Sequence, residues 1–196
     1  MECAQLLSTM LAPANRLNNP WAILKYNSKQ VEKNQELALT PELLQSGANL
    51  NLSRVYVLTT SATAGAAEMV INCLEPYMDV VVIGGTTKGE NVATGTFTNN
   101  FYHWTIHPVV CEVYNSKNES NYATGITPDY SINEFTDLRY FLPFGNSEEV
   151  LLNAALSLIA GEVPAIKANA QTIINKMTAL KTVNTCRRIN RALIIK

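Results

Sequence analysis

Two short apolar segments rich in β-branched residues constrain this chain more than any other feature. The first, Arg54 to Thr59 (RVYVLT), joins valine, tyrosine and threonine, which suit a strand. The second, Met78 to Gly84 (MDVVVIG), has the same character. Both read as buried strands, as in a parallel sheet covered by helices. Between them, residues 63–77 (TAGAAEMVINCLEPY) start small and continue apolar at helical spacing, which predicts a helix. Strand, helix and strand in such close succession form a crossover unit, favouring parallel pairing and an α/β class.

The flanking sequence adds elements to this unit. Residues 2–11 (ECAQLLSTML) place Leu6, Leu7, Met10 and Leu11 on one apolar face of a helix, ended by Pro13 and by LNNP at 17–20. That helix begins at once, without a leader, so the chain reads as one that starts inside a domain. Residues 21–50 read as polar and broken, with a short helix near Pro41 to Gln45 started by Pro41 after Thr40. The Gly-, Thr- and Asn-rich stretch 86–100 reads as a loop with one short strand. Residues 101–114 (FYHWTIHPVVCEVY) read as a strand, or as two pieces around Pro108. SKNES at 116–120 and GITPD at 125–129 are turns. Glu148 to Ile159 (EEVLLNAALSLI) is an amphipathic helix, capped by Asn146 or Ser147 and stopped by Gly161. The division expected is a core over 1–160 and a polar tail over 161–196.

Composition narrows the function. The chain has 196 residues, enough for one domain, with 47% hydrophobic and 16% charged residues and a formal net charge of −1. Nothing in that balance calls for nucleic acid. Basic residues cluster only at Arg187, Arg188 and Arg191, which read as a solvated tail. No apolar run is long enough to span a membrane, and no signal peptide opens the chain. Cys3, Cys73, Cys111 and Cys186 form no CxxC pair, which argues against zinc. Cys73 and Cys111 sit in apolar stretches and read as buried thiols. A Cys3–Cys186 disulfide depends on geometry that the sequence does not supply.

Two segments carry a family resemblance: Val55 to Glu68, VYVLTTSATAGAAE, and Tyr77 to Val92, YMDVVVIGGTTKGENV. Together they resemble the signature of the carboxyl-terminal processing (tail-specific) serine peptidases. In that family a buried strand enters a small-residue turn, and a helix begins there with the nucleophilic serine three residues before a glutamate. A second strand then leads to a glycine-containing loop that delivers the lysine base. The resemblance continues through residues 101–130, with a G-x-x-P-D turn, and through LPFGNSEEVLLNAALSLI; it covers most of residues 2–160. It implies a ClpP/crotonase-like layered sheet-and-helix domain, incomplete at its N-terminus. The upstream strands, one of which supplies part of the oxyanion hole, and the PDZ domain of many members are not in this sequence. It also implies an unstructured peptide or protein C-terminus as ligand, no cofactor, and a secreted or periplasmic setting, lipid-anchored in some full-length forms.

The chemistry behind this arrangement is simple. Small residues let a substrate backbone approach, and the N–H groups at a helix start stabilise developing negative charge. A lysine acts as base only when its pKa is lowered. In this sequence, however, the position three before Glu68 is Gly65, which has no side chain. The lysine position, twenty-two residues after Glu68, is Glu90. The resemblance therefore implies a peptidase-like protein without nucleophile or base, one that binds peptide or partner without cleaving it.

The alternative is an active enzyme using a displaced pair, Thr63–Lys88 or Ser61–Lys88, or one completed by another chain. A two-residue shift in extended backbone moves a group by about 6–7 Å, whereas productive geometry tolerates about 1 Å. On the first reading Ser61 and Thr63 satisfy backbone groups at the turn and Lys88 is a solvated loop lysine. Glu68 either supports the site or serves as a first-turn carboxylate favoured by the helix dipole. His103 and His107 flank Trp104 without a partner carboxylate or cysteine cluster, which favours packing or surface roles over metal. Trp21, Tyr102 and Trp104 are candidates for a peptide groove, or for the core. The absent upstream strands would leave an open sheet edge, which points to a homo-oligomer or another partner.

Overall fold

The computed structural model describes residues 1–45, 47–133, 142–143 and 145–162. The crossover unit forms as expected. Strands β3 (Arg54–Thr59) and β4 (Asp79–Gly84) run parallel, from Arg54 opposite Asp79 to Thr59 opposite Gly84. Helix α2 (Ala66–Leu74) connects them. A short strand β9 (Tyr130–Ser131) adds in parallel to the far edge of β4.

The second sheet is antiparallel, with order β2-β1-β8-β5, formed by β1 (Pro20–Tyr26), β2 (Gln35–Ala38), β5 (Val92–Thr94) and β8 (Val109–Asn115). A separate hairpin joins β6 (Phe97–Asn99) to β7 (Trp104–Ile106). Helix α1 spans Glu2–Leu11 and α3 spans Val150–Ile159; single 3₁₀ turns occupy Ala14–Arg16, Val31–Lys33 and Pro41–Leu44.

Packing turns these elements into layers. One core cluster joins Ala4 of α1, Trp21 and Leu24 of β1, Met69 and Leu74 of α2, and Val113 of β8. Val55 and Val80 of the parallel sheet pack against it. On the opposite face of that sheet Tyr56, Val81 and Ile83 meet Leu151, Ala154 and Ala155 of α3. Alternate residues of β3 and β4 thus point into different cores, the period-2 consequence of an extended chain. Each fully buried large side chain, such as Trp21, Leu39 or Leu74, contributes about 1.5–3 kcal/mol.

Several sequence expectations need correction. Residues 21–50 are not merely broken and polar. They hold β1, a central strand of the antiparallel sheet, and β2. The run Asn18, Asn19 and Pro20 hid a strand whose Trp21, Ala22 and Leu24 are buried. Trp21 is 0% exposed and belongs to the core, so it lines no groove. Strand β3 is covered on both faces but is only partly buried: Thr59 alone is fully inside, and Leu58 is exposed. The reason is position, since β3 is an edge strand among the described residues. The helix expected over 63–77 is shorter, because residues 60–65 form the turn that precedes it. The stretch 86–100 contributes to two strands, β5 and β6, and 101–114 splits around Pro108 into β7 and β8. The cap of α3 is Glu149, whose carboxylate accepts from the amides of Leu151 (3.1 Å) and Leu152 (2.8 Å). Asn146 instead accepts from Glu148 N–H in the turn before it.

Cys73 and Cys111 are buried free thiols and Cys3 is exposed. Cys186 lies outside the described residues, and with it the geometry on which a Cys3–Cys186 bridge depends. Arg187, Arg188 and Arg191 lie outside them too, as does nearly all of the expected tail.

Candidate active site

Strand β3 ends at Thr59, and the chain then turns sharply before α2. Thr63 holds the turn: its Oγ1 accepts from Thr60 N–H (3.0 Å), and Thr60 Oγ1 accepts from Ala62 N–H (3.1 Å). Ser61 projects from it, exposed. Gly65 follows with φ +57° and ψ −112°. A side chain there is strained, because Cβ crowds the backbone at positive φ. Sharp strained turns of this kind, between a strand and a helix, are how some hydrolases present a nucleophile.

The loop after β4 comes back to this turn. The amide of Lys88 donates to Thr63 O (2.8 Å). Glu68, on the first turn of α2, binds the two segments together and is completely buried. Its Oε1 accepts from Thr87 Oγ1 and from Gly89 N–H (2.7 Å), and its Oε2 accepts from Glu90 N–H (2.8 Å) and Gly65 N–H (2.9 Å). Burial is the largest single influence on this carboxyl and pushes its pKa up; the hydrogen bonds from Thr87, Glu90, Gly89 and Gly65 together outweigh it and hold the group below the ordinary carboxylate value. Glu68 is thus both a first-turn helix carboxylate and the clamp between the two candidate positions.

Those positions face each other. A Cβ built on Gly65 would lie 3.6 Å from Oε2 of Glu90, at ordinary van der Waals contact. The other oxygen of Glu90 pairs with the ammonium of Lys88, and both side chains are substantially exposed. That pair raises the pKa of Lys88, mainly through the hydrogen bond from its ammonium to Glu90. A lysine shifted upward stays protonated near neutral pH and has no lone pair with which to take a proton.

Thr87 is a residue of the candidate site that sequence reasoning missed. It is buried; its Oγ1 donates to Glu68 and accepts from Ile126 N–H (2.7 Å), fastening the clamp to the 125–129 turn. Nothing in GGTTKGE distinguishes Thr87 from Thr86; only the tertiary contact does. The turn itself docks closely. A Cβ on Gly125 would stand 2.2 Å from Thr87 O, and Asp129 accepts from Val82 N–H (2.8 Å). His103 and His107 lie in and beside the β6–β7 hairpin, with His107 Nδ1 3.1 Å from Thr96 Oγ1. Among the described residues no group of three His, Cys, Asp or Glu side chains is placed to hold a metal ion.

A strand, strained turn and helix facing a glycine-containing loop is the arrangement that the sequence resemblance implies, and residues 6–132 match the family described as Peptidase family S41. The chain belongs to this family. An S41-assigned protease structure from Bacteroides fragilis NCTC 9343 is 59% identical with a TM-score of 0.78, over 81% of this chain and 41% of that one. The chain thus spans less than half the length of that S41 relative. The fold also matches the photosystem II D1 C-terminal processing protease (14% identity, TM-score 0.50, 69% of this chain and 32% of that one). A lipoprotein from Streptococcus agalactiae is similar in fold as well (17% identity, TM-score 0.54, 80% of this chain and 48% of that one). A comparison with curated proteins gives no match.

Proposed function

We propose that this chain is the core of an S41 peptidase that has lost both members of its dyad, and that it binds an unstructured peptide or a protein C-terminus without cleaving it. The observation that carries this reading is the facing pair itself. Gly65 presents no hydroxyl, and the group 3.6 Å from its would-be Cβ is the Glu90 carboxylate. The kept surroundings support a retained binding role: the strained turn, the Glu68 clamp and the docked 125–129 turn hold the shape of a site whose reactive groups are absent. A displaced Thr63–Lys88 or Ser61–Lys88 pair is disfavoured. Thr63 Oγ1 is engaged with the turn and Lys88 is held as an ammonium by Glu90.

The test compares the chain with the double variant Gly65→Ser, Glu90→Lys. Expected are no fluorophosphonate label and no hydrolysis of unstructured peptides by the natural sequence, together with saturable peptide binding by fluorescence anisotropy. Gain of label in the double variant would add support for a surviving pocket. Hydrolysis by the natural sequence that disappears in Thr63→Ala or Lys88→Ala would overturn the reading in favour of the displaced pair.

A secreted or lipid-anchored setting is part of the same proposal. It is supported by the fold likeness to the streptococcal lipoprotein, and no helix among the described residues is long and apolar enough to cross a membrane. Recovery of the native protein solely in the cytosolic fraction would refute it. Self-association through the β3 edge is a further expectation, checked by sedimentation velocity; a strict monomer would remove it.

A further inference from the structure

The β6–β7 hairpin plays no part in the site described above. Residues 91–111 contain no Asp, Glu, Lys or Arg, so the hairpin and the residues around it carry no formal charge when His103 and His107 are neutral. It pairs with no other strand among the described residues. Its two faces differ. Phe97 stands opposite Ile106 and Asn99 opposite Trp104 on one face; the other face carries Thr98 and Thr105, whose hydroxyls lie 3.1 Å apart. At the tip, Asn99 Oδ1 accepts from the amides of Phe101 and Tyr102 (3.0 Å each) and fixes the turn. That turn holds out two aromatic rings, Phe101 at 81% exposure and Tyr102 at 64%, in an edge-to-face pair with centroids 4.8 Å apart.

We propose that this hairpin inserts its aromatic tip into the interfacial layer of a lipid bilayer. The chemistry of the occupant follows from the charge pattern. A docking site for another protein is usually closed by a polar rim, and here twenty-one consecutive residues supply no formal charge when His103 and His107 are neutral. A projecting tip of Phe and Tyr, with a Trp behind it, has the composition that settles at the membrane–water boundary, where the rings meet acyl chains and the polar edges meet headgroups. Without lysine or arginine nearby in sequence the attraction is apolar, so it requires no anionic lipid and resists salt.

The test uses the 196-residue chain with phosphatidylcholine vesicles. Trp21 is fully buried and Trp104 is not, so Trp104 reports on the hairpin. Expected are co-sedimentation with the vesicles that is unchanged by 0.5 M salt, quenching of Trp104 by brominated lipid, and a loss of about tenfold or more in partitioning for the double variant Phe101→Ser, Tyr102→Ser. Both residues are exposed, so the variant keeps its core. Three results would overturn the proposal: no partitioning at millimolar lipid, partitioning that the variant retains, or a dimer in solution that the variant dissociates while vesicles bind neither form. The last would assign the hairpin to a second copy of the chain.

Discussion

The backbone amides of Gly65 and Glu90 donate to the same oxygen, Oε2 of Glu68, at 2.9 and 2.8 Å. These positions are 25 residues apart in sequence, yet one buried carboxylate sets their separation. Because the clamp uses main-chain N–H groups, its hydrogen bonds do not depend on which side chains stand at 65 and 90, provided that each residue keeps its N–H and its backbone conformation. The two segments thus stay facing each other with glycine at one position and glutamate at the other.

Glu68→Gln is therefore expected to be costly. Glutamine offers one acceptor oxygen where four donors converge, and at least one buried N–H or O–H loses its partner. The expected loss is about 3 kcal/mol, read as a lower urea midpoint with unchanged slope. A variant within about 0.5 kcal/mol of the natural chain would show that the clamp carries little stability.

The same carboxylate sets an acid limit. Its folded pKa lies below the ordinary value of 4.5, so the folded state binds the proton more weakly than the unfolded chain does. The stabilisation is fully present above the ordinary value and is lost as pH falls through the folded one. Urea midpoints measured from pH 7 down to pH 3 should decline, and Glu68→Gln should flatten part of that decline. Parallel curves for the two proteins would remove Glu68 as its source.

Gly65→Ser alone should destabilise without activating. A Cβ at φ +57° and ψ −112° costs about 1–3 kcal/mol of backbone strain, while space is not limiting because the nearest contact is 3.6 Å away. The new hydroxyl would lie beside a carboxylate and an ammonium, with no neutral amine as base. Thermal melting should show the loss, and fluorophosphonate should leave the variant unlabelled.

Gly125→Ala should be damaging for a different reason. The added Cβ would meet Thr87 O at 2.2 Å and force backbone apart at φ +98°. Overpacking and strain together predict a loss of about 2–4 kcal/mol. Calorimetry would read it directly, and a melting temperature equal to that of the natural chain would contradict this docking of the 125–129 turn.

Cysteine reactivity should separate the described thiols. Burial is the main cause that pushes Cys73 up to about 12, and it raises Cys111 as well. Cys3 is exposed. Peptide mapping after a brief maleimide pulse on the folded protein should find Cys3 labelled and the other two protected until denaturant is added. Native labelling of Cys73 would contradict its burial.

The sequence by itself carried the elements whose signals are local. The valine-rich runs of β3 and β4 and the small-to-apolar stretch of α2 announce a crossover unit, because strand and helix periodicities lie within a few residues of each other. Gly65 and Glu90 were singled out by the family resemblance, which places them three residues before and twenty-two residues after Glu68. Tertiary structure decided the rest. Strand β1 was hidden because Pro20 and Lys25 make it look like a loop, and its place between β2 and β8 is a long-range fact. The partial exposure of β3 came from its place at the edge of its sheet. Thr87 acquired a role only when the loop after β4 brought its hydroxyl between Glu68 and Ile126. A sequence states which groups a residue carries; a buried hydrogen-bond network depends on which distant backbone amides converge on them, and that convergence exists only in the folded chain.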